Sequence, residues 1–220
     1  MARMMNMTTR MTMHFDDAIK VQEKSRDTLA PLLVNAVDLL FNALVNHNAK
    51  ILACGNGGSA SDAQHFVAEL VGRFEIERLP LAAIALNTDT AILTAIGNDY
   101  GYEAIFERQI NALGQMGDVL VALSTSGNSA NIIRAIDAAL DRDMHVIALT
   151  GNQGGAIGKN LPPNQSLPAH QNFLSDPNPP PNHVHLCVPS DRTMRIQEVH
   201  GMLLHALCDG IDLLLLGNSV

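Results

Sequence analysis

The amino-acid sequence predicts an α/β fold: a doubly wound, five-stranded parallel sheet flanked by helices, with a helical extension ahead of the first strand. Three observations lead there. Five short and mostly apolar runs, residues 50–54, 81–87, 118–123, 144–150 and 183–188, have the length and composition of strands covered on both faces. Segments of helical length alternate with them, as in a parallel sheet wound with crossover helices. Loops of small residues follow the first and third runs, at the carboxyl ends of strands, where such sheets bind ligands.

Taken in order, residues 1–14 hold six of the ten methionines and no apolar core of a secretory signal, so they read as a disordered leader. Residues 15–46 read as helices that Pro31 interrupts or restarts, with Leu32, Leu33, Ala36, Leu39, Leu40, Ala43 and Leu44 at helical spacing. So apolar a face needs cover, from its own domain or from a second subunit. The first strand runs into Gly55, Asn56, Gly57 and Gly58, and Ser59 or Ser61 is placed to cap a helix over 60–71. After the second strand come a short helix over 90–96, a turn over 97–101 and a helix over 105–113. The third strand leads into Ser124, Thr125, Ser126, Gly127, Asn128 and Ser129, then a helix over 130–140. Residues 161–182 are proline-rich and read as a mobile surface loop. After the fifth strand, Ser190 or Asp191 caps a long last helix that Gly217 stops.

Composition narrows the functions. The 220 residues suit one α/β domain with a full core. A formal charge of −8 without a basic run argues against a nucleic-acid backbone as direct ligand, and the lack of Trp leaves little for stacking on bases. Cys54, Cys187 and Cys208 form no C-x-x-C pair and read as reduced, buried and inert thiols, which fits the cytoplasm. No run approaches the roughly 20 apolar residues of a membrane span, so no membrane partner is expected.

Two loops carry the chemistry. Gly55–Gly58 presents backbone N–H groups at the start of a helix, and residues 124–129 add hydroxyl donors at a second helix start. Alone, the first could serve only to reverse the chain and the second only to cap a helix; two such loops in one sheet favour phosphate binding. His65 and Glu69, four apart, share a face of the helix that leaves the first loop. In the last helix Gln197 and His205 lie near one face. His205 sits in the apolar stretch MLLHALC and needs a partner or a function there, whereas His200 reads as a core histidine satisfied by a hydrogen bond.

Together GNGGSASDAQHFVAELVGRF, GNDYG, STSGNSANII and RIQEVHGMLLH resemble the sugar isomerase (SIS) domain family over residues 15–215, apart from the proline-rich segment. Within it the chain looks most like the branch that acts on phosphoheptoses. The resemblance implies a homotetramer of five-stranded parallel domains. It implies substrate contacts from Asn56, Gly57, Gly58, Glu69, Asn98, Asp99, Ser124, Thr125, Ser126, Ser129 and Gln197. It implies one zinc ion per subunit on His65, Glu69, Gln197 and His205, with Glu69 and His205 as the acid–base pair. The implied reaction is aldose–ketose isomerisation of sedoheptulose 7-phosphate for heptose synthesis. A second likeness, carried by LAAIALNTD and RDMHVIALTG, is to the tetrameric SIS factor that binds the replication initiator DnaA. That factor has a small residue in place of Glu69 and arginine in place of Ser126. A sugar-phosphate sensor without turnover is the third expectation.

Overall fold

The computed structural model describes residues 6–161 and 182–217. Helix α1, Met7–Phe41, runs into one π-helical turn, Asn42–Asn46. Then follow β1 (Ile51–Gly55), α2 (Gly58–Val71), β2 (Ala83–Ala85) and α3 (Thr90–Tyr100). A single 3₁₀ turn, Tyr102–Ala104, leads to α4 (Glu107–Leu113), β3 (Val119–Ser124) and α5 (Ala130–Leu140). Strand β4 (His145–Gly151) passes through a second 3₁₀ turn into α6 (Gly155–Asn160); β5 (His183–Val188) and α7 (Thr193–Leu216) close the fold.

All strands are parallel, in the order β2-β1-β3-β4-β5. The apolar runs are continuous because both faces are covered and successive side chains alternate between them. Ile51, Ala53, Val121, Ile147 and Leu186 join one core with α1, α2 and α7. Leu52, Cys54, Leu120, Ala122 and Val146 join the other with α4 and α5. Each fully buried leucine among them, such as Leu52 or Leu120, contributes about 1.5–3 kcal/mol. Buried Asp118 ties the starts of β1 and β3: its carboxylate accepts from Lys50 N at 2.9 Å, Lys50 Nζ at 2.6 Å and Gln115 N at 2.8 Å. Cys54, Cys187 and Cys208 are all free; Cys54 and Cys208 are buried, whereas Cys187, expected to be buried, is half-exposed. Burial pushes the thiols of Cys54 and Cys208 up to about 12.

The structure departs from the sequence expectations at several ends. Residues 7–14 are helical, not a disordered leader: Asn6 Oδ1 caps Thr8 N at 2.9 Å, and His14 accepts from buried Arg195 at 2.9 Å. Pro31 neither interrupts nor restarts the helix, since Leu29 before it and Ala36 after it are both packed in the core. The second strand shrinks to three residues at the sheet edge. Helix α3 continues to Tyr100 where a turn was expected, and Gly101, with φ of 90°, ends it. Neither Ser59 nor Ser61 caps α2, whose N-cap is Gly57 with φ of 56°. Neither Ser190 nor Asp191 caps α7, whose N-cap is Arg192. Gly217, with φ of 73°, stops α7 as expected. The proline-rich loop read over 161–182 lies, for residues 162–181, outside the described residues. Contrary to the expectation from apolar runs, residues 7–46 and 193–216 each contain an 18-residue window apolar enough to cross a membrane. Within this fold those helices pack, together with α2, into the first core.

One buried ion pair binds α2 to α7. Arg78, on the segment leaving α2, donates from Nε to Asp212 Oδ1 at 2.5 Å. Its other nitrogens take the last open carbonyls of α2, Glu69 O at 2.7 Å and Leu70 O at 2.9 Å. Both side chains are almost wholly buried, so removing one partner strands the other's charge. Arg78→Met is therefore expected to lower stability by about 3–5 kcal/mol, and adding Asp212→Leu to recover a large part of that loss. Urea denaturation of both variants measures this, and a double variant no more stable than the single one would refute it.

Candidate functional site

The strand order reverses direction between β1 and β3, so a crevice opens at their carboxyl ends, where open α/β sheets bind ligands. The two small-residue loops flank it. On the β1 side, a Cβ on Gly55 would stand 2.4 Å from Ser59 O, which forbids any side chain. A Cβ on Gly58 would meet Gln197 Nε2 at 2.5 Å, so the glycine loop lies directly against α7. On the β3 side, Ser124 Oγ donates to Ser129 Oγ at 3.1 Å, and Asn128 N donates to Ser126 Oγ at 3.1 Å. Gly127, with φ of 65°, passes so close to the Gly154 carbonyl that a Cβ would fall 2.0 Å from it. Ala156 N and Ile157 N hold this loop from behind, through Asn128 Oδ1 at 2.9 Å and Gly127 O at 3.0 Å. Helices α2 and α5 both begin without a side-chain cap. Their first N–H groups and the positive ends of their dipoles are thus presented beside the crevice.

Helices α2 and α7 bring three titratable side chains into contact. His65 Nε2 stands 3.0 Å from Glu69 Oε1 and 3.4 Å from His205 Nε2. The two imidazoles meet edge-on, with centroids 5.0 Å apart, and Phe74 lies against His205 at 5.6 Å. The partner that His205 needs is His65, and the pair is exposed rather than in the core. His200 is wholly buried and bonded to Thr150 O at 3.0 Å, as its sequence context suggested; burial pushes it down to about 4. Asp62, one turn before His65, has its carboxyl pushed up by burial, with His65 opposing the shift.

His65 Nε2 thus faces both Glu69 Oε1 and His205 Nε2, and its tautomer decides which of these contacts it donates to. On one tetrahedral zinc, two imidazole nitrogens stand roughly 3.4 Å apart, the separation seen here. The donor types, two imidazoles, a carboxylate and the nearby Gln197 amide, also suit zinc. As the side chains stand, however, Glu69 Oε1 turns toward His65, and no three His, Cys, Asp or Glu among the described residues form a metal cluster.

Of the residues expected at a site, Asn56, Gly57, Gly58 and Gln197 gather on one side of the crevice, and Ser124, Thr125, Ser126 and Ser129 form the loop opposite. Asn98 and Asp99 are exposed at the end of α3, where Asn98 Nδ2 donates to Asp99 Oδ1 at 2.8 Å. Sequence reasoning missed Asn131 and Tyr102. Asn131 exchanges two hydrogen bonds with Asn56, at 2.9 and 2.8 Å, and Tyr102 Oη donates to Asn56 Oδ1 at 3.0 Å. The signal that could have found Asn131 is a carboxamide one residue inside an otherwise apolar helix start. Two clefts of about 370 and 360 Å³ lie elsewhere, along α1. The first is lined mostly by charged side chains of mixed sign and contains none of the residues gathered above.

The SIS domain pattern matches residues 13–151. The phosphoheptose isomerase of Bordetella avium is 64% identical over 215 residues, covering 98% of this chain and all of that one. The solved phosphoheptose isomerase structure from Neisseria gonorrhoeae superposes with a TM-score of 0.79 at 49% identity, over 94% of this chain and 99% of that one. The corresponding structure from Francisella tularensis gives a TM-score of 0.80 at 38% identity, with the same coverage. With its two loops at the strand switch and its motifs shared over almost the whole length, this chain belongs to the SIS-domain family, in the phosphoheptose isomerase branch.

Proposed function

We propose that the protein is an aldose–ketose isomerase that converts sedoheptulose 7-phosphate to D-glycero-D-manno-heptose 7-phosphate, a precursor of ADP-heptose and lipopolysaccharide. The observation that carries this is the His65–Glu69–His205 contact beside two anion-binding loops. The relatives' name gives the substrate class. The adaptor for DnaA is not favoured, because Glu69 keeps its carboxylate and residue 126 is serine. A cytoplasmic location belongs to the same reading and is supported by three free cysteines.

The serine loop would hold the phosphate through hydroxyl and backbone donors, leaving C1 and C2 of the open-chain ketose toward α2 and α7. Glu69, whose Oε2 makes no hydrogen bond among the described residues, would take the proton from C1 while His205 donates one to the C2 oxygen, giving the enediol. Glu69 would then return its proton to C2 as His205 takes the proton from the C1 oxygen, so no proton is gained or lost. Asn98 and Asp99 would close on the sugar hydroxyls from the end of α3. Zinc on His65, Glu69, Gln197 and His205 would, when bound, polarise the substrate oxygens as a Lewis acid.

Three measurements test this reading. Glu69→Gln and His205→Gln should each lower kcat by about 10²–10⁴-fold. Ser124→Ala with Ser126→Ala should instead raise KM, since charged hydrogen bonds contribute about 1.5–3 kcal/mol each. Wild-type turnover by Glu69→Gln would remove the acid–base assignment. For the metal, His65→Ala should retain far less zinc than wild type after loading and desalting, and equal zinc content would count against the site. A homotetramer is the third part. Its support is a stripe of exposed Met7, Met11, Phe15 and Ile19 at four-residue spacing, beside an apolar cleft containing Leu29, Leu33 and Met202. Light scattering should give four times the 23.6 kDa chain mass, and a stable monomer would exclude it.

A further inference from the structure

We infer that Asn131 and Tyr102 are positioning residues that hold Asn56 at the junction of the three segments contacting the sugar phosphate, an inference resting on the isomerase reading. Asn131 is only 3% exposed, and a buried carboxamide must find partners. It finds them across the crevice: Asn56 Nδ2 donates to Asn131 Oδ1 at 2.9 Å, and Asn131 Nδ2 donates back to Asn56 Oδ1 at 2.8 Å. Tyr102 Oη adds a bond to the same Asn56 oxygen at 3.0 Å.

An amide oxygen accepts two hydrogen bonds and an amide nitrogen donates two. Asn56 Oδ1 is therefore fully used, and its Nδ2 keeps one free N–H. That fixes the orientation of Asn56: its side chain can offer the substrate a donor and no acceptor. The same three residues come from three places. Asn56 follows β1, Asn131 lies in the first turn of α5 behind the serine loop, and Tyr102 follows the Asn98–Asp99 end of α3. A phosphate held at residues 124–129 and sugar oxygens met by the glycine loop thus keep one register. Displacement of reacting groups by about 1 Å is enough to cost roughly 10²-fold in rate.

Asn131→Asp supplies the discriminating test. As a carboxylate it opposes Asn56 Oδ1 oxygen to oxygen; as a protonated acid its O–H donates there as the amide did. Burial beside that oxygen raises its pKa, so acidification restores the bond. Calorimetry should be run with sedoheptulose 7-phosphate and with inorganic phosphate, each referred to wild type at the same pH. At pH about 8, Asn131→Asp should bind the sugar phosphate about tenfold more weakly while inorganic phosphate stays within about twofold. Near pH 5.5 the sugar-phosphate deficit should shrink to about threefold or less. Asn131→Leu should stay weak at both pH values. Tyr102→Phe, at an exposed position that leaves the core intact, should lose about threefold for the sugar phosphate alone.

Wild-type affinity in both Asn131 variants overturns the inference, as does equal weakening for the two ligands or a deficit that ignores pH. If the Asn131 variants do not fold, Tyr102→Phe decides, and unchanged sugar-phosphate affinity overturns it. Wild type that binds sedoheptulose 7-phosphate without turnover removes only the isomerase reading. Wild type that does not bind it removes both.

Discussion

The buried Arg78–Asp212 pair is the constraint on which the site's geometry depends. Its guanidinium fork holds the backbone of Glu69 with one nitrogen and the α7 carboxylate with another. The helix that carries His65 and Glu69 is thereby fixed against the helix that carries Gln197 and His205. Desolvating both charges offsets most of their attraction, so such a pair adds less to net stability than its short distance suggests. What it confers is registry: an apolar seam between α2 and α7 could slide by a fraction of a turn, whereas one rigid guanidinium bonded to both helices favours a single alignment. That alignment puts the two imidazole nitrogens 3.4 Å apart.

The other half of the site is built from neutral donors. The chain carries a net charge of −8, and no Lys or Arg occurs in residues 124–131. Any attraction for an anion there would come from local dipoles, which act over a few ångströms, while the global charge is screened beyond about 8–10 Å. Neutral donors also discriminate better by geometry than a point charge does. The close approach of Gly127 to Gly154 has the same consequence, since it leaves the serine loop no freedom to adapt.

Much of this was legible in the sequence because the signals were strong and local. The strands at 118–123, 144–150 and 183–188 stand out as apolar runs bounded by turn residues, and the last of these matches β5 to the residue. Helix α5 likewise begins at Ala130 and ends at Leu140, as its periodicity indicated. Helix starts were misread where glycine or arginine, rather than serine, takes the cap. Pro31 misled because local backbone preference was outweighed by core packing on either side of it. The contacts that fix the site were hidden for a different reason. Arg78 meets a carboxylate 134 positions away, and Asn131 meets Asn56 75 positions away. No local spacing encodes such a pair; it exists only once the sheet order brings the two loops together.

The buried thiols turn the same architecture into its own reporter. A thiol with a pKa of about 12 is ionised in roughly one molecule in 10⁵ at neutral pH, so it is alkylated only when its surroundings open. Cys54 lies on β1 just ahead of the glycine loop, and Cys208 lies on α7 one turn beyond His205. The native chain thus carries a separate chemical clock for each wall of the crevice. Labelling rates at the two positions distinguish breathing of the loop from detachment of the last helix, with no probe introduced.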